Sequence, residues 1–244
     1  MQKYFISSNE LENKLITSDD VFHIKNVMRG RVGDKIIVSD GTSSYIAKLT
    51  VIGNKEVAFD ILEERDGNPE LPFFISIFQG YPKGDKIEDV IKHGTELGVY
   101  EVVPTLMKRS VFKLDPKKKD SKLERFRKIA KEAAEQSDRS YVPVISDIKN
   151  LKEIDFSEYT TKIICYEESA KNGELTQFKK CVKNIKENEK VAINVGPEGG
   201  KDESEINYLL SKGFVCAAVG KRILRTETVV FYCLSAISYE WELK

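Results

Sequence analysis

Apolar and polar positions alternate through much of the first sixty residues. Tyr45, Ala47, Leu49 and Val51, then Val57, Phe59 and Ile61, place apolar side chains on every second position with more polar residues mostly between. That is the two-residue period of half-buried strands. Asp40-Gly41 separates KIIVS from SYIAKL, and Gly53-Asn54 separates the strand ending at Ile52 from EVAFDI; both dipeptides are hairpin signals. Several short strands in this span predict a small barrel. DGNPELP (66–72) carries turn chemistry without apolar periodicity. It marks a boundary between a β-rich domain at 1–68 and a larger domain at 72–244.

The pattern then changes to strand–helix alternation. FFISIFQ (73–79) is a continuous apolar run closed by Gly80 and Pro82, as a buried parallel strand would be. A helix is predicted from about Asp85, with Ile87, Val90, Ile91 and Leu97 as its apolar stripe, Asp85 and Glu88 at capping-box spacing, and Gly98 as its stop. VYEVVPTL is the next strand. A second capping box, Ser121 with Glu124, predicts a helix whose apolar face is Leu123, Phe126, Ala130 and Ala133. TKIICYE, VAINV and FVCAAVG read as strands, separated by helices near 174–187 and 202–212, with a last helix from about Glu227 to Leu243. The prediction is an α/β domain built on a mostly parallel sheet covered on both faces.

Composition narrows the function classes. The 244 residues are 41% hydrophobic and 32% charged with a net charge of zero, ordinary values for a chain that buries a core. No apolar run approaches the roughly 20 residues of a membrane-spanning helix, and MQKYFISSNE lacks a signal-peptide pattern. Cys165, Cys181, Cys216 and Cys233 lie 16, 35 and 17 residues apart without a CxxC pair, which disfavours zinc and redox motifs and points to a reducing cytoplasm. His23 and His93 are the only histidines, a weak basis for a metal site or a triad. Charge is local: Lys108 to Lys131 holds eleven Lys/Arg against three Asp/Glu, a net of +8. It reads either as a solvated helix face or as a phosphate-contacting patch.

Two loops carry the candidate chemistry. Gly196-Pro197-Glu198-Gly199-Gly200 follows the strand VAINV, and ligands of parallel sheets bind outside the carboxyl ends of the strands. Glycines there permit close backbone approach to a ligand; the bland alternative is an empty strand-to-helix turn. A phosphate loop fits poorly, because Gly196 and Gly200-Lys201 enclose three residues rather than four. Asp202, Glu203 and Glu205 would also repel phosphate, and Asp202 with Glu205 reads as a capping box. The second loop, VGKRILRTET (219–228), follows FVCAAV. Ile223 and Leu224 in it either line an adenine pocket or cap the core, and Thr226 is placed to N-cap the last helix.

GPEGG followed about twenty residues later by VGKRILRTET resembles the ribosomal RNA small subunit methyltransferase E family of the SPOUT superfamily. KGDKIEDVIKHGTELGV (83–99), KRSV (108–111), EAAEQSDR (132–139) with VPVI behind it, and HIKNVMRGRVGDKI (23–36) agree, so the resemblance runs through essentially the whole chain. It departs at Lys201, where the family often has an aromatic residue, at Phe22-His23 in place of paired histidines, and at Lys3-Tyr4-Phe5 in place of an Arg-aromatic pattern.

The resemblance implies an N-terminal PUA-like β-barrel joined to an α/β domain with a C-terminal trefoil knot. It further implies a homodimer with its site at the interface, and metal-free transfer of the S-adenosylmethionine methyl group to a uridine N3 in 16S rRNA or the small ribosomal subunit. Carried onto this chain, the cofactor pocket is expected at Tyr166, Glu167, Val195, Gly196, Pro197, Glu198, Gly199, Gly200, Val219, Gly220, Ile223, Leu224 and Arg225, with Gly199 facing the ligand. RNA contacts are expected from Lys3, Arg29, Arg31, Lys108, Arg109, Arg125, Lys128, Gln136 and Arg139, the last two sharing a helical face with Glu132. Because N3 must lose a proton, a base or an anion-stabilising cation would help; Arg225, Glu198 and Glu227 are candidates, with Arg225 favoured as orienter of the base or stabiliser of its anion, and Glu198 either catalytic or satisfying backbone donors of its own loop. Competing readings are another SPOUT methyltransferase, acting on tRNA, a guanine or a ribose 2′-hydroxyl, and an inactive RNA-binding assembly protein.

Overall fold

The structure, a computed structural model, describes residues 1–112, 115–171 and 173–243; Lys113 of the basic run lies outside them. The chain forms two compact units, Met1–Glu70 with Lys131–Val142, and Leu71–Ala130 with Pro143–Lys244.

The first unit contains strands β1 (Lys3–Phe5), β2 (Leu15–Ile16), β3 (Lys35–Ser39), β4 (Ser44–Ile52) and β5 (Val57–Glu64), in the order β1-β3-β4-β5-β2. β1 runs parallel to β3 and the other pairs are antiparallel. Both predicted hairpins are present. The expected barrel takes the form of a curled sheet, with register shifts at Ile46/Ala47 and Leu49/Val51 supplying the bends that irregular pairing gives a strand. Short helices α1 (Ser8–Asn13) and α2 (Asp20–Phe22), the latter continued by a π-helical turn over His23–Val27, complete its N-terminal part. Ala47, Leu49, Val57 and Phe59 of the alternating positions form the core with Tyr4, Ile16, Ile24 and Val38; Val51, expected on the same face, is exposed, past the register shift at Leu49/Val51. His23 accepts or donates a hydrogen bond with Tyr4 (3.1 Å).

Residues 131–142 belong to this unit although they follow the boundary at 66–72. They bring charged side chains into its interior. The Arg139 guanidinium donates to Glu70 from Nε (2.8 Å) and from Nη2 (2.6 Å), with both side chains under a tenth exposed. Lys3 is equally buried and donates to the Arg139 carbonyl (2.6 Å). Asp138, at φ +58°, receives both guanidinium nitrogens of Arg65 at 2.6 Å.

The second unit holds β6 (Phe74–Gly80), β7 (Glu101–Leu106), β8 (Val144–Ile145), β9 (Lys149–Asn150), β10 (Thr161–Cys165), β11 (Lys190–Val195) and β12 (Val215–Ala217). They form one parallel sheet in the order β12-β10-β11-β6-β7-β8, with β9 also on β7. The helices are α3 (Lys86–Glu96), α4 (Lys119–Gln136, which enters the first unit at Lys131), α5 (Glu167–Lys171), α6 (Gln177–Asn184), α7 (Glu203–Ser211) and α8 (Thr226–Glu242). Ile75, Ile77, Phe78, Ile163, Ile164, Val191, Ala192 and Ile193 are buried, as the unbroken apolar runs of a doubly covered sheet require. Among the described residues no helix is long and apolar enough to cross a membrane.

Helix starts differ in part from expectation. Asp202 and Glu205 form the predicted capping box of α7. At α3, Asp85 makes no side-chain cap, and Glu88 instead pairs with Arg125 at 2.7 Å. α4 begins at Lys119, two residues before Ser121, whose hydroxyl donates back to the Lys118 carbonyl. The region of the predicted helix near 174–187 is helical only at 177–184.

Glu70→Ala is expected to lower the stability of the first unit by about 3–5 kcal/mol, because it strands a buried guanidinium. Denaturant unfolding measures the loss, and Glu70→Gln should lose less.

Candidate active site

The C-terminal ends of β10 and β11, neighbours in the sheet, open into a groove of about 820 Å³. Most of its wall comes from three segments, Cys165–Glu168 at the end of β10, Val195–Lys201 at the end of β11, and Ile223–Thr226 entering α8, with Lys86, Arg109, Val229 and residues of α7 completing it. The two glycine-bearing loops therefore meet, as the sequence requires of a shared pocket. Tyr166, Glu167, Val195, Gly196, Pro197, Glu198, Gly199, Gly200, Ile223, Leu224 and Arg225 all line it.

Val219 and Gly220 do not line it. They lie earlier in the loop, and Gly220 sits at φ +124°, so its glycine serves the turn rather than the cavity. Gly199 also differs from expectation: a Cβ there would meet Arg109 Cβ at 3.1 Å and the Arg109 carbonyl at 3.3 Å. A side chain at 199 would press on the β7 loop, not fill ligand space. The tightest glycine is Gly80 at the end of β6, where a Cβ would stand 2.5 Å from Pro197 Cδ.

One hydroxyl joins the loops. Thr226 Oγ1 donates to the Gly196 carbonyl (2.6 Å) and accepts from Gln79 Nε2 (2.8 Å). Thr226 is the first residue of α8, with Arg225 at the N-cap position, so it links loops rather than capping its helix. Gln79 is fully buried in β6. A polar side chain closing the apolar run FFISIFQ was the readable signal for it.

Charge in the groove is arranged in two ways. Glu198 accepts from the Lys83 amide (3.2 Å) and from Lys86 Nζ (2.7 Å). Partial burial works against its ionisation, yet the Lys86 ammonium and backbone amides hold its carboxyl below the usual value. Such a carboxylate is a poor proton acceptor, and Glu198 acts as the anchor between its loop and the start of α3. Arg225 is exposed on the wall and makes no ion pair among the described residues.

Lys201 is the other case. It is buried, and its Nζ donates to the Cys165 carbonyl at 2.7 Å. A Cβ on Gly196 would lie 3.1 Å from Lys201 Cγ and 3.3 Å from Nζ, so the glycine makes room for the lysine. Burial pulls its pKa down to about 8. Nothing in the sequence marks this lysine as buried, since a basic residue before a helix ordinarily reads as exposed.

The expected RNA-contact residues divide. Arg29, Arg31, Lys108, Arg109, Arg125, Lys128 and Gln136 are exposed; Lys108 also binds Asp202 (2.9 Å) and Arg109 the Gly199 carbonyl (3.1 Å). Lys3 and Arg139 are 3% exposed and committed to internal partners, so neither is available to phosphate. Because α4 ends at Gln136, Arg139 leaves the helical face it was expected to share with Glu132 and turns inward.

Residues 69–238 match the model of an RNA methyltransferase domain, and residues 16–62 that of an RNA methyltransferase PUA domain. A parallel sheet with a groove at its carboxyl edge, joined to such a domain, defines an RNA methyltransferase. The chain is 41% identical, over all of its length and 98% of the relative's, to ribosomal RNA small subunit methyltransferase E of Bacillus subtilis. It therefore belongs to the ribosomal RNA small subunit methyltransferase E family. The fold also superposes on that enzyme from Neisseria gonorrhoeae, solved bound to S-adenosyl methionine, with a TM-score of 0.84, 28% identity and coverage of 99% and 98% of the two chains. A crystallised protein described only as hypothetical matches with a TM-score of 0.90, 39% identity and 99% coverage of each chain.

Two outcomes are expected from this geometry. Thr226→Val, which keeps the shape and deletes the hydroxyl, should destabilise by about 1–3 kcal/mol in denaturant unfolding by removing the donor to the Gly196 carbonyl and one acceptor of Gln79; Thr226→Ser should recover most of it. Lys201→Met should raise the thermal midpoint at pH 7 by about 2–4 °C for each kcal/mol gained. The Lys201 amine has a reference value of 10.5 and titrates near 8 when folded. Between these values the unfolded chain holds a proton that the folded chain has released, so wild-type stability rises with pH. The advantage of Lys201→Met should therefore shrink from pH 8 towards 10.5.

Proposed function

We propose that the protein methylates N3 of a uridine in 16S ribosomal RNA with S-adenosylmethionine as donor, and that the groove at the ends of β10 and β11 is the donor's site. The observation that carries the reading is the convergence of the loops 196–200 and 223–226 on one cavity, in a chain of a family whose Neisseria gonorrhoeae relative was solved with S-adenosyl methionine.

The residues present fit such a ligand. The volume falls in the range of roughly 300–1,000 Å³ common for small-molecule sites. Val195, Ile223 and Leu224 offer apolar surface to an adenine, while Tyr166, Glu167 and the backbone of Gly196, Pro197, Glu198, Gly199 and Gly200 offer polar groups to ribose and amino-acid moieties. Bound there, the cofactor supplies an electrophilic methyl group on a sulfonium sulfur. Holding the uridine and donor aligned is the main task, and it can supply roughly 7–11 kcal/mol. Arg225, free on the groove wall, orients the base and stabilises the N3 anion. Glu198, already paired with Lys86, takes no proton.

Arg29, Arg31, Lys108, Arg109, Arg125, Lys128 and Gln136 contribute phosphate and sugar contacts, which give affinity rather than sequence choice. Family membership also supports a closed PUA-like barrel, a C-terminal trefoil knot, a homodimer with the site at its interface, action on rRNA or the small subunit, and a cytoplasmic location.

Nucleoside mapping of 16S rRNA from a deletion strain tests the substrate. N3-methyluridine should vanish and return on complementation; its persistence while another mark disappears would overturn this choice of substrate. Arg225→Ala should lower kcat by about 10²–10³ while donor affinity, read by calorimetry, changes little.

A further inference from the structure

Lys201 is a buried ammonium on the wall of the groove with a single acceptor, the Cys165 carbonyl, among the described residues. Glu205 and Glu167 favour its charged form without forming an ion pair with it, burial outweighs them, and Glu168 also lines the groove. Glu205 on α7 is engaged by the Lys108 amide (2.7 Å) and the Asp202 amide (3.1 Å). Glu167 is exposed to water at the end of β10, Glu203 is exposed on α7, and Glu198 is paired with Lys86. The nearby thiols are Cys165 on β10, Cys216 on β12 and Cys233 on α8; burial raises Cys216, and Cys165 and Cys233 share a hydrogen bond at 3.6 Å. Arg109 adds further positive charge beside Gly200, whose Cβ would stand 3.9 Å from its Nη1.

We propose that Lys201 sets the selectivity of this groove between the cationic sulfonium donor and its neutral thioether product. The inference rests on the reading of the groove as the donor's site. The two ligands differ by one methyl group and one positive charge, and share the adenosine and the amino-acid end. Shape and hydrogen bonding act on both alike, whereas a fixed ammonium in the same cavity penalises only the sulfonium. Two like unit charges within one cavity, at an effective dielectric near 20, repel strongly enough to change an affinity about tenfold, and opening to solvent reduces this. The protonated lysine therefore strengthens retention of product relative to donor, and its deprotonation shifts the balance towards donor.

Calorimetric titration of the full-length protein with S-adenosylmethionine and S-adenosylhomocysteine tests this at pH 7 and pH 9. The quantity read is the ratio of donor to product affinity. Lys201→Met should raise that ratio five- to tenfold at pH 7. The wild-type ratio should approach the variant's by pH 9; comparison of the two proteins at each pH cancels titration of the ligands' own amino groups. Lys201→Gln, polar and uncharged, should behave like Lys201→Met, and serves if the latter does not fold. Cys165→Ser should keep the wild-type pH dependence, separating the lysine from the neighbouring thiol. Equal ratios in wild type and variants at both pH values would overturn the role of Lys201, as would loss of the pH dependence in Cys165→Ser alone. Failure of the wild type to bind either ligand would instead overturn the groove as the donor's site.

Discussion

The hydroxyl of Thr226 is the constraint on which the site depends. The Gly196 loop follows β11, Gln79 lies in β6, and Thr226 opens α8; the pair of hydrogen bonds through this one oxygen joins all three. A half-buried carbonyl left without its donor loses stability, and this favours one arrangement of the loops. Gly80 acts on the same place through shape, since Pro197 occupies the space a side chain there would need. The groove is thus preformed: its walls are set by hydrogen bonding and close packing before any ligand enters.

Charge is placed on this frame with different purposes at different depths. Glu198 is neutralised by Lys86 and two-thirds withdrawn from solvent, which makes it a strut. Arg225 is exposed at the wall without an ion pair among the described residues. Lys201 is carried inside with one carbonyl for company, at a cost in desolvation that shows in its lowered pKa. A desolvated cation on the wall of a cavity is a candidate functional group on physical grounds, and Lys201 lines this groove.

The first unit uses charge in a third way. Arg139 with Glu70, Lys3 with the Arg139 carbonyl, and Arg65 with Asp138 tie residues 131–142 to the curled sheet. A cation so engaged is structural, whatever its position in a basic segment. The cations at 29 and 31 in this unit, and at 108, 109, 125 and 128 in the other, stay exposed.

The chain's own pattern determined the elements and their class. Period-two alternation gave the hairpins at Asp40-Gly41 and Gly53-Asn54, unbroken apolar runs gave the parallel strands, and GPEGG with RILRTET marked the loops that meet. These are local features, set by side-chain direction and glycine backbone freedom within a few residues. Tertiary structure alone decided which polar groups went inside. Lys201, Lys3 and Arg139 look in sequence like any surface cation, and Val219 and Gly220 like further pocket residues. Burial depends on what distant segments bring: Cys165 lies 36 residues from Lys201 and Glu70 lies 69 from Arg139. Gln79 gave a hint, being polar in an apolar strand, but its partner Thr226 is 147 residues away. No periodicity records a contact of that range, because the free energy that stabilises it comes from the folded surroundings of both groups and not from either segment.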